Sequence, residues 1–296
     1  KVPCALPAAN LPGDFKIKIA KVRGIESSGM LCSAKELGIS DDASGLLILP
    51  ADAPVGEDIR RYLDLDDRLL TLKLTPNRAD CLSLYGIARE VSALTNTPAS
   101  YPQIVATQVS TDARREIILD APEACPLYCG RVISGVNAKA PTPEWMKRRL
   151  ERSGIRSISA LVDITNYVML ELGQPLHAFD NAKLSGAIHA RLAKPGEQIL
   201  LLNDQTLDLQ DDVLLIADDQ RPVAMAGIMG GEDSGITLET TEMFLESAFF
   251  APKAIAGRAH RPPLDHRVRA DEAGDKGRQR AAIQLARGRD LLDHAI

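Results

Sequence analysis

One acidic residue inside an apolar run constrains the fold of this chain more than any other feature. Glu246 interrupts the strand-like segment Met243-Phe-Leu-Glu-Ser-Ala-Phe-Phe250. Burying a carboxyl group costs free energy unless the group is hydrogen-bonded, so Glu246 must either have a partner or lie at an exposed edge. If the partner is a hydroxyl group of a ligand, the segment belongs to a recognition site. Otherwise, Glu246 could equally be the exposed member of an edge strand.

Two more segments hold candidate residues for such a site. His177 follows an apolar stretch, and Asn166 is a polar residue within that stretch. Gly227 and Gly230 lie in Met225-Ala-Gly-Ile-Met-Gly-Gly231, where the backbone can approach a ligand closely. Each residue also has a structural explanation: a packed histidine, an asparagine in a turn or cap, and a strand that ends in a glycine turn. Taken singly, none of them indicates a function.

Length, composition and charge limit the classes of protein to which this chain can belong. The 296 residues suffice for two domains or one large one, and 45% hydrophobic with 25% charged residues is ordinary for a globular chain. The net charge of −5 argues against a surface coated in basic residues for nucleic acid. The segment 251–296 is basic, which is a weak indication of RNA contact and about as typical of a solvated helix face.

Cysteine usage indicates a reducing compartment. The chain has five cysteines, an odd number, and no signal peptide precedes them, so we expect a cytoplasmic protein. Cys125 and Cys129 have no second pair of ligands nearby, which argues against a zinc site. No apolar run approaches the roughly 20 residues of a membrane span.

Periodicity predicts short strands in the first part of the chain, followed by one helix. We expect strands over Lys16–Arg23 and Leu46–Leu49, and a connecting strand over residues 64–75. The helix after Pro76 is predicted to begin with Asp80 as its N-cap. Its apolar stripe is Leu84, Ile87, Ala88, Val91 and Leu94.

A second unit is predicted to begin near Ile117. Thr142 followed by Pro143 is a helix start, and that helix is expected to end at Ser153. The segment 199–208 reads as a hairpin that turns at Asn203 and Asp204. Further strands are predicted over residues 130–136, 213–217, 223–228 and 243–250, and a final helix over 279–294.

Several long motifs follow one another in a specific order, whereas no Walker loop, dinucleotide fingerprint, nucleophile elbow or zinc-protease motif is present. They are Leu11–Lys18, Gly29–Ser33, Thr75–Ser83, Gly86–Glu90, Val162–Val168, Gly173–Asp180, Met225–Gly231 and Leu245–Phe250. In this order, over about residues 1 to 259, they resemble the beta subunit of bacterial phenylalanyl-tRNA synthetases. That subunit is much longer, so the resemblance implies an internal piece.

The resemblance implies an α+β, multidomain chain. Residues 1–63 would be the C-terminal part of an oligonucleotide-binding (OB) fold that binds tRNA, here a truncated remnant. Residues 64–98 would be a small α/β domain segment that contains the predicted helix, and residues 99–116 a linker. Residues 117–296 would be a larger mixed α/β editing domain of the B3/B4 type, with a divergent tail from about residue 259.

The resemblance also implies a reaction. A phenylalanine enzyme must reject tyrosine, which adds one hydroxyl group, and an apolar pocket rejects it by only about a hundredfold. The family hydrolyses tyrosine that has been attached to phenylalanine tRNA. By resemblance, Glu246 accepts the tyrosine hydroxyl, with the Gly227 backbone beside it. His177 and Asn166 lie near the ester and the attacking water, and Gly230 keeps the mouth of the pocket open.

Cofactors and partners follow from the same resemblance. ATP and Mg²⁺ serve the catalytic centre in the alpha subunit, and no site for either is identified in this chain. The implied partners are phenylalanine tRNA and the synthetase alpha subunit, in an assembly of two alpha and two beta chains, with no membrane. The chain alone is not expected to aminoacylate tRNA. The alternative function is a non-catalytic module that binds tRNA or protein.

The resemblance weakens after Gly257. The family has a threonine that lines the editing pocket, and its position falls on His266, while a small residue two positions further becomes Val268. Either the pocket is rebuilt here or the reading frame is damaged, and the shift to arginine-rich sequence favours damage. A verified, uninterrupted frame would exclude it.

Overall fold

The computed structural model of this chain describes residues 1–41, 43–104 and 108–256. These divide into two compact units, Lys1–Thr71 and the described residues from Leu72 onward, which are treated separately. The structure combines helices with several small sheets, which confirms the prediction of an α+β chain. The predicted helix over 279–294 and the altered positions His266 and Val268 lie outside the described residues. The predicted domain boundaries stay a prediction.

The first unit is built from short antiparallel strand pairs around a small core. β1 pairs with β6, β2 with β3, and β4 with β5, and a short helix, α1, follows. Ala5, Ile17 and Cys32 are the buried residues of its core. The elements are β1 Cys4–Ala5, β2 Asn10–Leu11, β3 Phe15–Lys16, β4 Ala20–Val22, β5 Ile25–Ser27, β6 Met30–Leu31 and α1 Ile59–Tyr62.

The predicted strand Lys16–Arg23 is divided between two of these pairs. Ile17 is buried, and its backbone bonds to residues 8 and 9, which extends the pairing of β2 with β3. β4 instead forms a hairpin with β5, and Gly24 supplies the positive φ of +83° that the turn requires. The two halves therefore have different partners and cannot form one strand.

Two other predicted strands form no ladder in the described residues. Residues 46–49 make isolated backbone bonds, from Leu47 to Cys32 and from Leu49 to Lys1. Residues 65–75 are also outside any strand, and the division between the two units falls within them. A strand needs a neighbour to bond its backbone groups, and apolar spacing alone does not supply one.

The helix α2, Leu84–Thr95, begins three residues later than Asp80 would set it. Its N-cap is Ser83, whose Oγ accepts a hydrogen bond of 3.0 Å from the Gly86 N–H. Asp80 lies in a preceding 3₁₀ turn and pairs with Arg78 instead, so the predicted N-cap is wrong. The predicted apolar stripe is largely uncovered, since Leu94, for example, is 75% exposed.

Two helices follow in the second unit, α3 Glu144–Arg152 and α4 Ala160–Leu172. The predicted helix over Pro143–Ser153 is confirmed, with Pro143 as its N-cap and Ser153 as its C-cap. α4 ends at Gly173, which adopts the left-handed conformation at φ +85°. Asn166 lies in the middle of α4, so its interpretation as a turn or cap residue is wrong. None of the helices among the described residues has the length and hydropathy needed to cross a membrane.

The second unit contains two larger sheets and a hairpin. A five-stranded sheet has the order β15-β14-β13-β10-β7, in which β7 and β10 are parallel and the other pairs antiparallel. A three-stranded antiparallel sheet has the order β8-β16-β9. β11 and β12 form the predicted hairpin around Asn203 and Asp204. The strands are β7 Ile117–Leu119, β8 Leu127–Ser134, β9 His177–Asp180, β10 Ile188–Leu192, β11 Gln198–Leu200, β12 Thr206–Asp208, β13 Leu214–Ala217, β14 Pro222–Met225, β15 Met229–Gly230 and β16 Glu242–Phe249. A final short helix is α5, Pro252–Ile255.

The main core lies between the two larger sheets. Because successive side chains of a strand point to opposite faces, Phe244, Glu246 and Ala248 share one face of β16. Phe244 on that face packs in one cluster with Ile188 and Ile216 of the five-stranded sheet. The opposite face carries Met243 and Leu245, which pack with Leu161 of α4. Glu246 therefore faces the core between the sheets, and α4 covers the other side.

A buried carboxylate fixes the start of α4. Asp163 is fully buried and accepts hydrogen bonds from the Ser157 hydroxyl at 2.6 Å and the Ile158 N–H at 2.9 Å. It also accepts one from the Thr142 hydroxyl, which precedes α3. One side chain thus joins the entrances of both helices.

Replacing Asp163 with alanine is expected to lower the free energy of unfolding by about 2–4 kcal/mol, because a fully buried acceptor of three hydrogen bonds is lost. Urea denaturation followed by circular dichroism measures this change. The control is Asp211→Ala, which removes an exposed carboxylate of the same unit. Equal midpoints for the two variants would contradict the assignment.

Candidate functional site

Glu246 lies at the centre of a sheet and not at an edge. β16 is the middle strand of its sheet, and Glu246 is paired with Gly130 of β8 on one side and with His177 of β9 on the other. The residue is 8% exposed. The interpretation of Glu246 as an exposed member of an edge strand is therefore wrong, and its carboxyl group must have a partner inside the protein or in a ligand.

The partner inside the protein is Tyr128. Its hydroxyl donates a hydrogen bond of 2.6 Å to Oε2 of Glu246, and both side chains are buried. Burial raises the pKa of Glu246 to about 7, and the hydrogen bond from Tyr128 acts in the opposite direction by stabilising the carboxylate. Burial and the nearby carboxylate raise the pKa of Tyr128 well above its usual value, so its hydroxyl stays protonated as a donor.

His177 contributes a buried ring nitrogen without a partner among the described residues. Its ring contacts Phe179 edge to face, with 4.5 Å between the ring centroids. Nε2 is inaccessible to solvent and has no hydrogen-bond partner among the described residues, although the residue as a whole is partly exposed. Burial lowers the pKa of His177 to about 4, so the imidazole is neutral at pH 7. A buried polar atom without a partner is uncommon in a folded protein and is consistent with a bound ligand or water.

Gly230 brings the second sheet against this histidine. It lies in β15, the edge strand of the five-stranded sheet. A Cβ atom at this position would lie 2.6 Å from Cε1 and 2.8 Å from Nε2 of His177, and 3.0 Å from Leu202. Because such distances are well inside van der Waals contact, a larger residue would displace the ring or fill the space beside Nε2.

Gly227 lies in the turn between β14 and β15 and adopts φ +65°, a conformation that favours glycine. A Cβ atom there would be 3.1 Å from Phe250 and 3.6 Å from Ile255. Both of these residues belong to the core cluster that includes Tyr128, so Gly227 borders the apolar surroundings of the carboxyl group.

Asn166 is not joined to this group by any hydrogen bond among the described residues. Its helix, α4, packs through Leu161 against Ala178 and Leu245. Those side chains are on the face of the three-stranded sheet opposite to Glu246. The structure therefore brings together Glu246, His177 and Gly230, whereas the role of Asn166 stays a prediction.

Sequence reasoning missed two members of the site, Tyr128 and Gly130. A Cβ atom on Gly130 would lie 2.2 Å from the ring of Phe244, so the glycine allows that ring to pack beside Glu246. The predicted strand began at residue 130, and β8 begins at Leu127. Strict alternation from the true start puts Tyr128, Gly130 and Val132 on one face, which is the signal that would have identified Tyr128.

The fold and the site define a class of protein. The family model described as "B3/4 domain" matches residues 124–287, which is more than half of the chain, so the chain belongs to the B3/4 domain family. A second family model, described as "Putative tRNA binding domain", matches residues 11–58. The order of these two matches agrees with the order of the two units.

The names of similar proteins are more specific than this domain family. The chain is 72% identical over 288 residues to a phenylalanine--tRNA ligase beta subunit from Dechloromonas aromatica, which covers 97% of this chain and 36% of that protein. It is 68% identical over 259 residues to the beta subunit from Aromatoleum aromaticum, covering 88% of this chain and 33% of that protein. These matches confirm the resemblance stated from the motifs. The chain spans about a third of the length of the curated relatives that it matches.

Solved structures also match in part. The crystal structure of an N-terminal fragment of the phenylalanyl-tRNA synthetase beta subunit from Pyrococcus horikoshii covers 58% of this chain and 53% of that chain, at 15% identity and a TM-score of 0.35. This likeness is too weak to support any inference about the site.

The variant Glu246→Gln is expected to remove a pH-dependent loss of stability. The pKa of Glu246 is about 7 in the fold against an ordinary 4.5, so the folded chain holds a proton that the unfolded chain releases. Stability therefore falls as pH rises through this window, by on the order of 3 kcal/mol in all. His177, with its lowered pKa, has the opposite effect between about pH 4 and 6.5, and this effect is common to both chains.

Urea unfolding of both chains between pH 4.5 and 8 tests this expectation. The free energy of unfolding of the variant, relative to that of the unaltered chain, should increase up to about pH 7 and then level off. A difference that does not depend on pH would contradict the raised pKa of Glu246.

The variant Gly230→Ala is expected to displace the His177 ring and to destabilise the chain by about 1–3 kcal/mol through overpacking. Thermal unfolding measures the loss, and the Hε1 resonance of His177 in an NMR spectrum reports the movement of the ring. Gly45→Ala is the control, because a Cβ atom there meets nothing within 4 Å. An unchanged resonance together with unchanged stability would refute the proposed contact.

Proposed function

We propose that this chain contributes hydrolytic editing to a phenylalanine-tRNA ligase, by removing tyrosine wrongly attached to phenylalanine tRNA. The observation that carries the proposal is that the residue with a buried carboxyl group, Glu246, lies opposite His177 in the strand ladder, and that Nε2 of His177 has no hydrogen-bond partner among the described residues. The names of the relatives, phenylalanine--tRNA ligase beta subunit, and the match to the B3/4 domain support it.

Glu246 would read the one group that separates tyrosine from phenylalanine. The hydroxyl of tyrosine can donate a hydrogen bond to the carboxyl oxygen that Tyr128 does not hold, whereas phenylalanine would leave that oxygen desolvated and without a donor. Leaving a buried polar group unpaired is more costly than the net gain of a typical hydrogen bond, so a site of this kind selects for the hydroxyl. The backbone of Gly227 would lie beside that hydroxyl.

His177 would act on the attacking water. In hydrolysis, water adds to the ester carbonyl, and the bond to the ribose oxygen of tRNA breaks. A pKa of about 4 makes His177 a weak base, since efficient general bases have a pKa near the working pH. We therefore assign His177 the role of orienting the water through Nε2, with Gly230 leaving space at the mouth of the pocket. Asn166 receives no role in this step, because α4 packs on the opposite face of the three-stranded sheet.

Partners follow from the relatives. Residues 11–58, which match the tRNA-binding model, would contact phenylalanine tRNA. An alpha subunit would complete the ligase as two alpha and two beta chains in the cytoplasm, with ATP and Mg²⁺ serving that assembly. Among the described residues, no group of three or more His, Cys, Asp or Glu side chains is placed to hold a metal ion.

A release assay tests the proposal. The 296-residue chain is incubated with phenylalanine tRNA that carries either tyrosine or phenylalanine, and tyrosine is expected to be released selectively. Glu246→Ala should lower the preference for tyrosine by about tenfold or more, because it removes the acceptor of the hydroxyl. Glu239→Ala, which removes an exposed carboxylate, is the control.

Two outcomes would contradict this assignment. Release of tyrosine by Glu246→Ala at the rate of the unaltered chain would show that Glu246 does not read the hydroxyl. Binding of both charged tRNAs without any release would instead support the alternative, a non-catalytic module that binds tRNA or protein, which the match over residues 11–58 also allows.

A further inference from the structure

The carboxyl group of Glu246 already bonds to a phenol, that of Tyr128. The distance from the Tyr128 hydroxyl to Oε2 is 2.6 Å, and no other side chain among the described residues donates to Glu246. This phenol is the same chemical group that the proposed substrate, a tyrosyl ester, would present. Tyr128 must therefore either leave when the substrate binds or share the carboxylate with it.

The packing of Tyr128 favours sharing. The residue is 7% exposed and belongs to the main core cluster, which also contains Val132 and Phe244. It is held in β8, opposite Ala248 of β16. Turning the ring out of the core would expose its apolar surface and would leave a buried carboxyl group unpaired, and both effects cost free energy. A carboxylate has two oxygen atoms with about four acceptor positions, so it can accept two phenols at once.

We propose that Tyr128 is a positioning residue for tyrosine selection: its hydroxyl holds Oε2 of Glu246, so that the carboxylate presents its other oxygen to the substrate hydroxyl. This inference rests on the proposed editing function and adds a residue to it. Tyr128 would not contact the reacting ester. It would act through Glu246, by fixing the orientation of the carboxyl group and by favouring its ionised, accepting form.

The ionisable groups around Glu246 determine how this effect depends on pH. They are Tyr128 on β8, Cys125 in the loop before β8, and His177 on β9. Burial raises the pKa of Cys125 to about 12, and His177 has a pKa of about 4, so neither changes charge near pH 7. Of these groups, Glu246 alone titrates there, with a pKa of about 7. Loss of the Tyr128 hydrogen bond removes a stabiliser of the carboxylate and moves this titration to higher pH.

Tyr128→Phe tests the proposal, because it removes the hydroxyl and keeps the ring. Release of tyrosine and of phenylalanine from phenylalanine tRNA is measured from pH 6 to 8.5 for the unaltered chain and the variant. The variant is expected to show about fivefold to tenfold lower preference for tyrosine at pH 7, and a pH profile shifted upward. The control is Tyr167→Phe, which removes a phenolic hydroxyl that bonds to Arg149 and Glu171 instead. It should not move the profile.

Each outcome leads to a different conclusion. An unchanged profile in Tyr128→Phe, beside selective release by the unaltered chain, overturns the role of Tyr128 and leaves the editing function standing. Faster tyrosine release by the variant also overturns it, because Tyr128 would then compete with the substrate. No release by the unaltered chain overturns both proposals. An equal shift in Tyr167→Phe would show a general structural effect and would likewise refute the assignment.

Discussion

The second unit depends on how one carboxyl group is accommodated in the middle of a sheet. Glu246 lies between two paired strands, where an ionised group loses most of its hydration and gains one hydrogen bond from Tyr128. A single bond does not fully offset the desolvation, and the raised pKa of the carboxyl group is the result. Apolar side chains would make this sheet more stable, so the acid is retained at a cost to stability, which is typical of a functional site.

Glycines make the surroundings of this group possible. Gly130 lies directly across from Glu246, where a side chain would collide with Phe244. Gly230 lies against His177 on the edge of the other sheet. At both positions a glycine lets the backbone pack closely against a ring. These two rings, of Phe244 and His177, border the carboxyl group. Two glycines that are distant in sequence therefore leave room for the side chains around Glu246.

The local sequence predicted the strands and helices of this fold better than it predicted which strands pair. The apolar run around Glu246 correctly indicated a strand but left open whether the acid is buried with a partner or exposed at an edge, and the hairpin at Asn203 and Asp204 is confirmed. The identity of the partner could not be read from the sequence, because Tyr128 is 118 positions away and strand periodicity says nothing about which strands pair. The strand predicted over residues 64–75 failed for the same reason. Asp80 and Ser83 are both chemically suitable as the N-cap of α2. Ser83 takes this position because its Oγ accepts the hydrogen bond from the Gly86 N–H. Gly86 lies so close to the backbone of Asp80 that only a glycine fits there.

The two central ionisable groups are shifted in opposite directions by the same cause. Burial disfavours charge, so it raises the pKa of the acid Glu246 and lowers that of the base His177. The pair therefore does not form an ion pair at neutral pH, although the residues are adjacent across the ladder. An ion pair would satisfy both groups internally and leave nothing for a ligand. Without it, the carboxyl oxygen that Tyr128 does not hold and the histidine Nε2 remain hydrogen-bonding positions in apolar surroundings, which are the positions that the proposed function needs for a hydroxyl group and a water molecule.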